Sequence, residues 1–174
     1  MQTPTVETSR LILRPLVAGD AETIYRELGC NQNMQHYTGW NPYTSLEATR
    51  DVLADDEHHT FSWGIESKET GQLVGTLGAY DYEPTECSIE VGYSIFEAAW
   101  GNGYASEALG AALEYMATAG IKSFKAWTAA DNVASSKVLL KNGFVLVETI
   151  LGDLDVEGIK YDRECYECLS KAIR

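Results

Sequence analysis

A strand-like run, Ser88-Ile89-Glu90-Val91-Gly92-Tyr93-Ser94-Ile95-Phe96, leads into Ala99-Trp100-Gly101-Asn102-Gly103-Tyr104-Ala105-Ser106-Glu107-Ala108, and an Ala/Leu-rich stretch continues to Ala119. A strand, a glycine turn and a helix in that order constrain the fold to a crossover unit, with Phe124 to Thr128 as the receiving parallel strand. The crossover is expected to be right-handed. The first N–H groups of a helix have no carbonyl partner, and the helix dipole favours negative charge beside them. Gly101 and Gly103 remove the Cβ atoms that would hold a phosphate-bearing ligand away from those groups. The turn is expected at the C-terminal end of its strand, where open α/β sheets place ligands. Glycine turns before helices are also ordinary structural devices, so the turn alone does not select the ligand. A G-x-x-x-x-G-K-[ST] loop is absent, and the turn lacks the later glycine and acidic residue of a dinucleotide unit.

The rest of the chain supplies alternating and helical segments around that unit. Ser9 to Leu16 alternates as a strand. Asp20 reads as the N-cap of a helix through Leu28, and Ser45 with Ala48 as the start of a second helix to about Glu57. Phe61 to Glu66 and Leu73 to Tyr82 form a predicted hairpin around Thr70-Gly71, with Glu86 to Phe96 the next strand. The helix from about Gly103 carries Ala105, Leu109, Ala112, Leu113 and Met116 at helical spacing and ends near Gly120. A further helix begins at Asn132 or Ala134 and stops at Asn142-Gly143. Phe144 to Ile150 and Lys160 to Leu169 complete a β-αα-βββ-α-β-α-ββ order.

Length and charge set outer limits. With 174 residues and 45% hydrophobic residues the chain suits one domain, residues 1–174, with a sizeable core. A net charge of −13 argues against nucleic-acid binding and favours a cationic partner, although solubility alone accounts for many acidic proteins. No apolar run of about 18 residues and no basic-then-apolar leader is present, so a cytoplasmic protein without membrane contact is expected. The four cysteines are Cys30, Cys87, Cys165 and Cys168. Two cysteines three apart on a strand point to opposite faces, so the C-x-x-C is expected to hold no metal.

Four blocks together resemble the GNAT acetyltransferases, in the RimJ/RimL-like branch. They are Glu7-Thr8-Ser9-Arg10-Leu11-Ile12-Leu13-Arg14-Pro15-Leu16; Gly71-Gln72-Leu73-Val74-Gly75-Thr76-Leu77-Gly78; Glu90-Val91-Gly92-Tyr93 through the Trp100-to-Ala108 turn; and Asn132-Val133-Ala134-Ser135 with Val138-Leu139, Lys141 and Gly143-Phe144. They occur in order and span nearly the whole chain. The resemblance implies a mixed, mostly antiparallel α/β sheet with helices on both faces and two splayed central parallel strands. It implies acetyl-CoA as donor, a primary amine as acceptor, and no metal. Pantetheine would pair with strand backbone at Ser94 and Ile95, as an added strand pairs with a sheet edge. Pyrophosphate would sit on Gly101, Asn102, Gly103, Tyr104 and Ala105, with Ser106 close by. Family members often carry Arg or Gln where this chain has Ala98, and a basic residue where it has Asn102. Charge assistance is therefore weaker here, and Lys137 is a candidate replacement.

Acetyl transfer to an amine needs a base, an oxyanion donor and stabilisation of the leaving thiolate. Glu90 matches the family's acidic position, and its apolar neighbours would raise its pKa toward neutrality, as suits a base working directly or through water. Ser135 is the candidate proton donor to the thiolate, against the plain alternative of helix capping. Asn132 is expected to hold pantetheine, to cap the helix, or both, and a strand N–H near Ile95 to serve the oxyanion. Glu107 is accounted for by the helix dipole alone. His58-His59 is placed at a helix end, and Cys87 as an acyl carrier runs against the family's direct transfer.

The acceptor groove is expected between Asn31 to Tyr43, with His36, Tyr37, Trp40 and Tyr43, and Leu151 to Tyr161, with Asp153, Asp155 and Glu157. An acidic, aromatic entrance suits a cationic amine. Three readings remain open at this point: acetylation of a peptide or protein N-terminus, as of a ribosomal protein; acetylation of a small amine such as an antibiotic or polyamine; and a non-catalytic acetyl-CoA-binding module. A homodimer is compatible with each.

Overall fold

The computed structural model describes residues 2–35, 42–54, 59–156 and 158–173. Eight strands form one sheet in the order β1-β2-β3-β4-β5-β6-β8-β7. They are β1 (Val6–Glu7), β2 (Leu11–Pro15), β3 (His59–Ser67), β4 (Leu73–Glu83), β5 (Ser88–Ile95), β6 (Ser123–Ala129), β7 (Val145–Val156) and β8 (Ile159–Leu169). Every neighbouring pair is antiparallel except β5 and β6.

Among the described residues five α segments accompany the sheet: α1 (Ala21–Ile24), α2 (Gln32–Gln35), α3 (Leu46–Ala54), α4 (Tyr104–Thr118) and α5 (Val133–Lys141). The apolar stripe of α4 buries Leu109, Ala112, Leu113 and Met116 completely against the sheet, in a core with Leu11, Leu13, Trp63, Leu77, Ile89, Val91 and Phe124. On the other face Ile24, Leu28 and Phe96 pack with Leu16, Tyr43, Leu53 and Leu73 in a second cluster. Helices thus cover both faces, as the sequence pattern implies. No helix is long and apolar enough to cross a membrane among the described residues.

Four expectations change in detail. Asp20 precedes α1, but its carboxylate does not cap it. Instead it accepts two bonds from the Arg14 guanidinium, each 2.9 Å, and one from the Val17 N–H at 2.9 Å. A bidentate guanidinium is a stronger partner than a helix N–H. The helix then widens into a π turn over Tyr25–Gly29. His59 lies in β3 rather than at a helix end, with its ring edge-on to Tyr80 at 5.3 Å. The last hairpin is longer than its turn residues suggest, since β7 continues to Val156 and β8 starts at Ile159. Ser45 does cap α3, its Oγ accepting from the Ala48 N–H at 3.0 Å. His36, Tyr37, Trp40, the stretch 55–58 and Glu157 lie outside the described residues.

Candidate active site

β5 and β6 pair only at Ser88↔Ser123, Ile89↔Phe124 and Glu90↔Lys125. Beyond Glu90 they diverge, while β5 stays paired with β4 up to Ile95 and β6 stays paired with β8 up to Ala129. The sheet therefore splits along its centre into a wedge-shaped gap. The phase of the β4–β5 ladder is set by the Phe96 N–H, which donates to the Val74 carbonyl at 2.9 Å. Antiparallel strands alternate bonded and non-bonded pairs. Thr76↔Ser94 is accordingly a bonded pair, so the Ser94 peptide faces β4. The peptides of Val91, Tyr93 and Ile95 face the gap. The Ser94 peptide is thus turned away from the gap, whereas the Ile95 N–H faces it. The Ile95 carbonyl is already taken by the Trp100 indole at 2.7 Å.

The glycine turn closes the wide end of this wedge. Gly101 and Gly103 hold φ of +78° and +76°, and Gly103 is the residue before α4. Among the described residues no side chain caps α4, which leaves its first N–H groups open. Asn102 turns its amide inward to the carbonyls of Ala99 (3.0 Å) and Trp100 (3.3 Å). Tyr104 opens the helix, Ala105 is half-buried, and the Ser106 hydroxyl accepts from Asn142 at the end of α5, 3.2 Å away.

The cation at this turn is Arg10. Its guanidinium donates to the Asn102 carbonyl at 2.9 Å and lies 5.0 Å over the Tyr104 ring. It also pairs with Glu107 at 2.6 Å, and Glu107 further accepts from the hydroxyls of Thr8 and Ser9. Glu107 is therefore a tie between the β1–β2 turn and α4, beyond its favourable place on the helix dipole. Burial pushes its carboxyl up, and the Thr8 and Arg10 bonds more than offset this and hold it below the usual range. Lys137 is an exposed residue of α5.

The two candidate catalytic side chains sit on opposite faces of the split sheet. Side chains alternate along β5, so Glu90 and Tyr93 face opposite ways. Glu90 is on the face away from α4, where its Oε1 accepts from the Trp127 indole at 3.1 Å. Burial raises its pKa above the ordinary carboxylate value, with the Trp127 bond opposing. Tyr80, the β4 partner of Glu90, lays its ring back over Gly78 and Gly92, where any Cβ would come within 2.5–2.7 Å of it. Beside Tyr80 a small cleft is lined by Leu16, Tyr43, Leu53, His59 and Thr76.

Ser135 is on the α4 side, in the first turn of α5. Asn132 caps that turn by accepting from the Ser135 N–H at 3.2 Å. The Ser135 Oγ lies 3.0 Å from the Tyr93 hydroxyl. Burial pushes the Tyr93 phenol up to about 12, so it stays protonated through neutral pH. Cys87 sits at the opposite end of β5 from the gap, its thiol 3.6 Å from the Pro84 carbonyl. Cys165 and Cys168 share β8 and face opposite ways, as their spacing dictates. Among the described residues no three His, Cys, Asp or Glu side chains converge as a metal site.

Sequence reasoning did not single out Tyr93, Trp127 or Arg10. Tyr93 belongs to the Glu90-Val91-Gly92-Tyr93 block, which by itself assigns it no role. Trp127 shares the outward face of β6 with Lys125, an odd place for an indole unless a partner awaits it. Arg10 is 92 positions from Asn102, so only the fold joins them.

This split sheet with a glycine turn at its mouth and hydroxyl and carboxylate on its two sides defines an acyltransferase architecture. The GNAT acetyltransferase domain family matches residues 10–145, and the chain belongs to that family of acetyl-CoA-dependent acetyltransferases. It is 32% identical over 169 residues to the uncharacterized N-acetyltransferase YoaA of Bacillus subtilis, covering 94% of this chain and 95% of that one. A shorter stretch of 76 residues is 34% identical to the ribosomal-protein-serine acetyltransferase of Escherichia coli, covering 43% and 42% of the two chains, in line with the RimJ/RimL-like branch. In fold it resembles the spermidine N-acetyltransferase of Vibrio cholerae solved with CoA and spermine, with a TM-score of 0.85, 22% identity, and 95% and 98% of the two chains covered.

Proposed function

We propose that this chain acetylates a primary amine, the α-amine of a peptide or protein N-terminus, with the acetyl group held in the β5–β6 gap. The observation that carries the reading is the division of the two side chains: Glu90 on one face of the split sheet and Ser135 on the other. A linear cofactor in the gap would then meet an acceptor arriving from the Glu90 side.

The gap fits acetyl-CoA. The gap-facing peptide of Tyr93 and the N–H of Ile95 suit the amides of pantetheine, and the open α4 N-terminus over Gly101, Asn102, Gly103, Tyr104 and Ala105 suits pyrophosphate. Acetyl-CoA supplies an activated acyl thioester. Glu90, with its raised pKa, takes the proton of the incoming ammonium, directly or through one water. A gap-facing strand N–H near Ile95 that pantetheine leaves free would meet the negative charge that develops on the carbonyl oxygen. Ser135 delivers a proton to the departing sulfur, with Tyr93 behind it at 3.0 Å.

The Glu90 face favours a peptide because it is bordered by the long β7–β8 hairpin, which leaves Leu151 79% and Ile159 58% exposed. Asp153 and Asp155 on the same hairpin are already paired, with Arg163 at 2.8 Å and Lys160 at 3.4 Å, so the hairpin offers a peptide apolar surface rather than free charge. A second reading, a small amine, is favoured by the aromatic cleft at Tyr43, His59 and Tyr80. CoA release over a panel of N-terminal peptides, spermine and aminoglycosides separates the two. Peptide turnover that falls about 100-fold or more in Glu90→Gln is expected, the lower range of general-base effects. Turnover with small amines alone would move the assignment to the second reading, and undiminished turnover in Glu90→Gln would remove Glu90 as base.

A further inference from the structure

Resting on Glu90 as the base, we propose that Arg163 of β8 is a positioning residue: held by Asp153 and laid across Trp127, it fixes the indole whose N–H orients the Glu90 carboxylate.

The four side chains cross four adjacent strands. Glu90 belongs to β5, Trp127 to β6, Arg163 to β8 and Asp153 to β7. The ladder β6–β8 pairs Trp127 with Cys165, so Arg163, two residues away, shares the Trp127 face of the sheet. Its guanidinium carbon is 5.9 Å from the Trp127 ring centroid. The Trp127 indole in turn donates to Glu90 at 3.1 Å.

At the far end, Asp153 Oδ2 lies 2.8 Å from Arg163 Nε. The Nε–H is nonetheless buried without an acceptor along its bond direction, so the contact is an ion pair rather than an aligned hydrogen bond. The pair forms where the β7–β8 ladder slips between Ile150 and Leu154, and this irregularity brings Asp153 to Arg163. A cation stacked on an indole restrains it from behind while the N–H points forward. A Trp on an outward strand face is otherwise free to choose another rotamer.

Other groups bear on Glu90 as well. Tyr80 and Asp81 face it from β4, Lys125 and Trp127 from β6, and Arg163 and Cys165 from β8. Asp81 opposes ionisation, while Lys125 and Arg163 favour it. Removing Arg163 therefore acts in a known direction.

Arg163→Met retains much of the stem and loses the charge and fork, and Arg163→Lys restores the charge without the planar stack. The probe is the Trp127 indole N–H resonance, assigned by its loss in Trp127→Phe and followed against pH, which reports Glu90 ionisation whether or not the protein turns over. Arg163→Met is expected to raise the midpoint by roughly half a pH unit, less than the 1–3 units of a direct ion pair because the indole intervenes. It is also expected to broaden the resonance, and the acid limb of kcat/KM is expected to move up with it. Arg163→Lys restores the midpoint but not the sharp resonance. An unchanged midpoint and line shape in a folded Arg163→Met protein overturns the proposal, as does a broadened resonance with an unmoved kinetic limb. A shifted, broadened resonance alongside full activity of Glu90→Gln overturns the reading of Glu90 as base and, with it, the catalytic part of the proposal.

Discussion

Replacing Gly101 or Gly103 by alanine separates two reasons for a glycine. Both residues sit at φ near +77°, where an L side chain costs about 1–2 kcal/mol. Space is not the obstacle. An added Cβ at Gly101 meets nothing within 4 Å, and at Gly103 only the Arg10 Nη2 at 3.7 Å. Each variant should lose that backbone term and no more, which for a chain of this size is roughly 2–8 °C in Tm. Global stabilities of about 5–15 kcal/mol leave both variants folded at 25 °C. The empty space at Gly101 is also where a phosphate would approach the α4 N–H groups. Gly101→Ala should therefore weaken acetyl-CoA binding in calorimetry by at least ~10-fold, about 1.4 kcal/mol. Equal Tm losses with unchanged acetyl-CoA affinity in both variants would refute the assignment of this turn as the anion cradle. No Tm loss in either would refute the strain argument itself.

Tyr93→Phe removes the hydroxyl 3.0 Å from Ser135 Oγ, and kcat should fall several-fold while acetyl-CoA affinity holds; Ser135→Ala should fall further, and equal activity in both variants and wild type would exclude the pair from proton delivery. The Asp20 carboxyl is pushed up by burial but held below the usual carboxylate range by Arg14 and the Val17 N–H, which outweigh it. Its contribution is therefore present above the unfolded pKa of about 3.9 and is lost as pH falls through the lower folded value. Urea titrations from pH 2 to 7 should show that loss in wild type and a flatter curve in Asp20→Asn.

Much of the architecture was legible because its signals are local. Alternation marked β2 to β6, and helical spacing marked the face of α4 that is now fully buried. Asn132, Ser45 and the glycine turn announced helix starts by their own side chains or by lacking them. The split between β5 and β6 came from the family resemblance instead, since no periodicity encodes where two parallel strands part. The site was half legible for the same reason. Glu90 and Ser135 could be named from their blocks, but not that they occupy opposite faces. Asp20 misled because a short polar residue before an apolar run is a cap by default, and nothing in the neighbouring residues reveals that Arg14 will claim it. Ser94 misled because the choice between it and its neighbours depends on ladder phase, which one bond from Phe96 to Val74 sets. Arg10, Trp127 and Tyr93 act across 92, 37 and 42 positions respectively, a separation that only tertiary structure bridges.

Amide hydrogen exchange with and without acetyl-CoA tests most directly whether the gap holds the cofactor. Protection is expected at Tyr93 and Ile95 on β5 and at the first N–H groups of α4, with Ser94 already slow in the free protein. Binding accompanied by protection elsewhere, with the Ile95 and α4 amides unchanged, would contradict the placement of acetyl-CoA between β5 and β6.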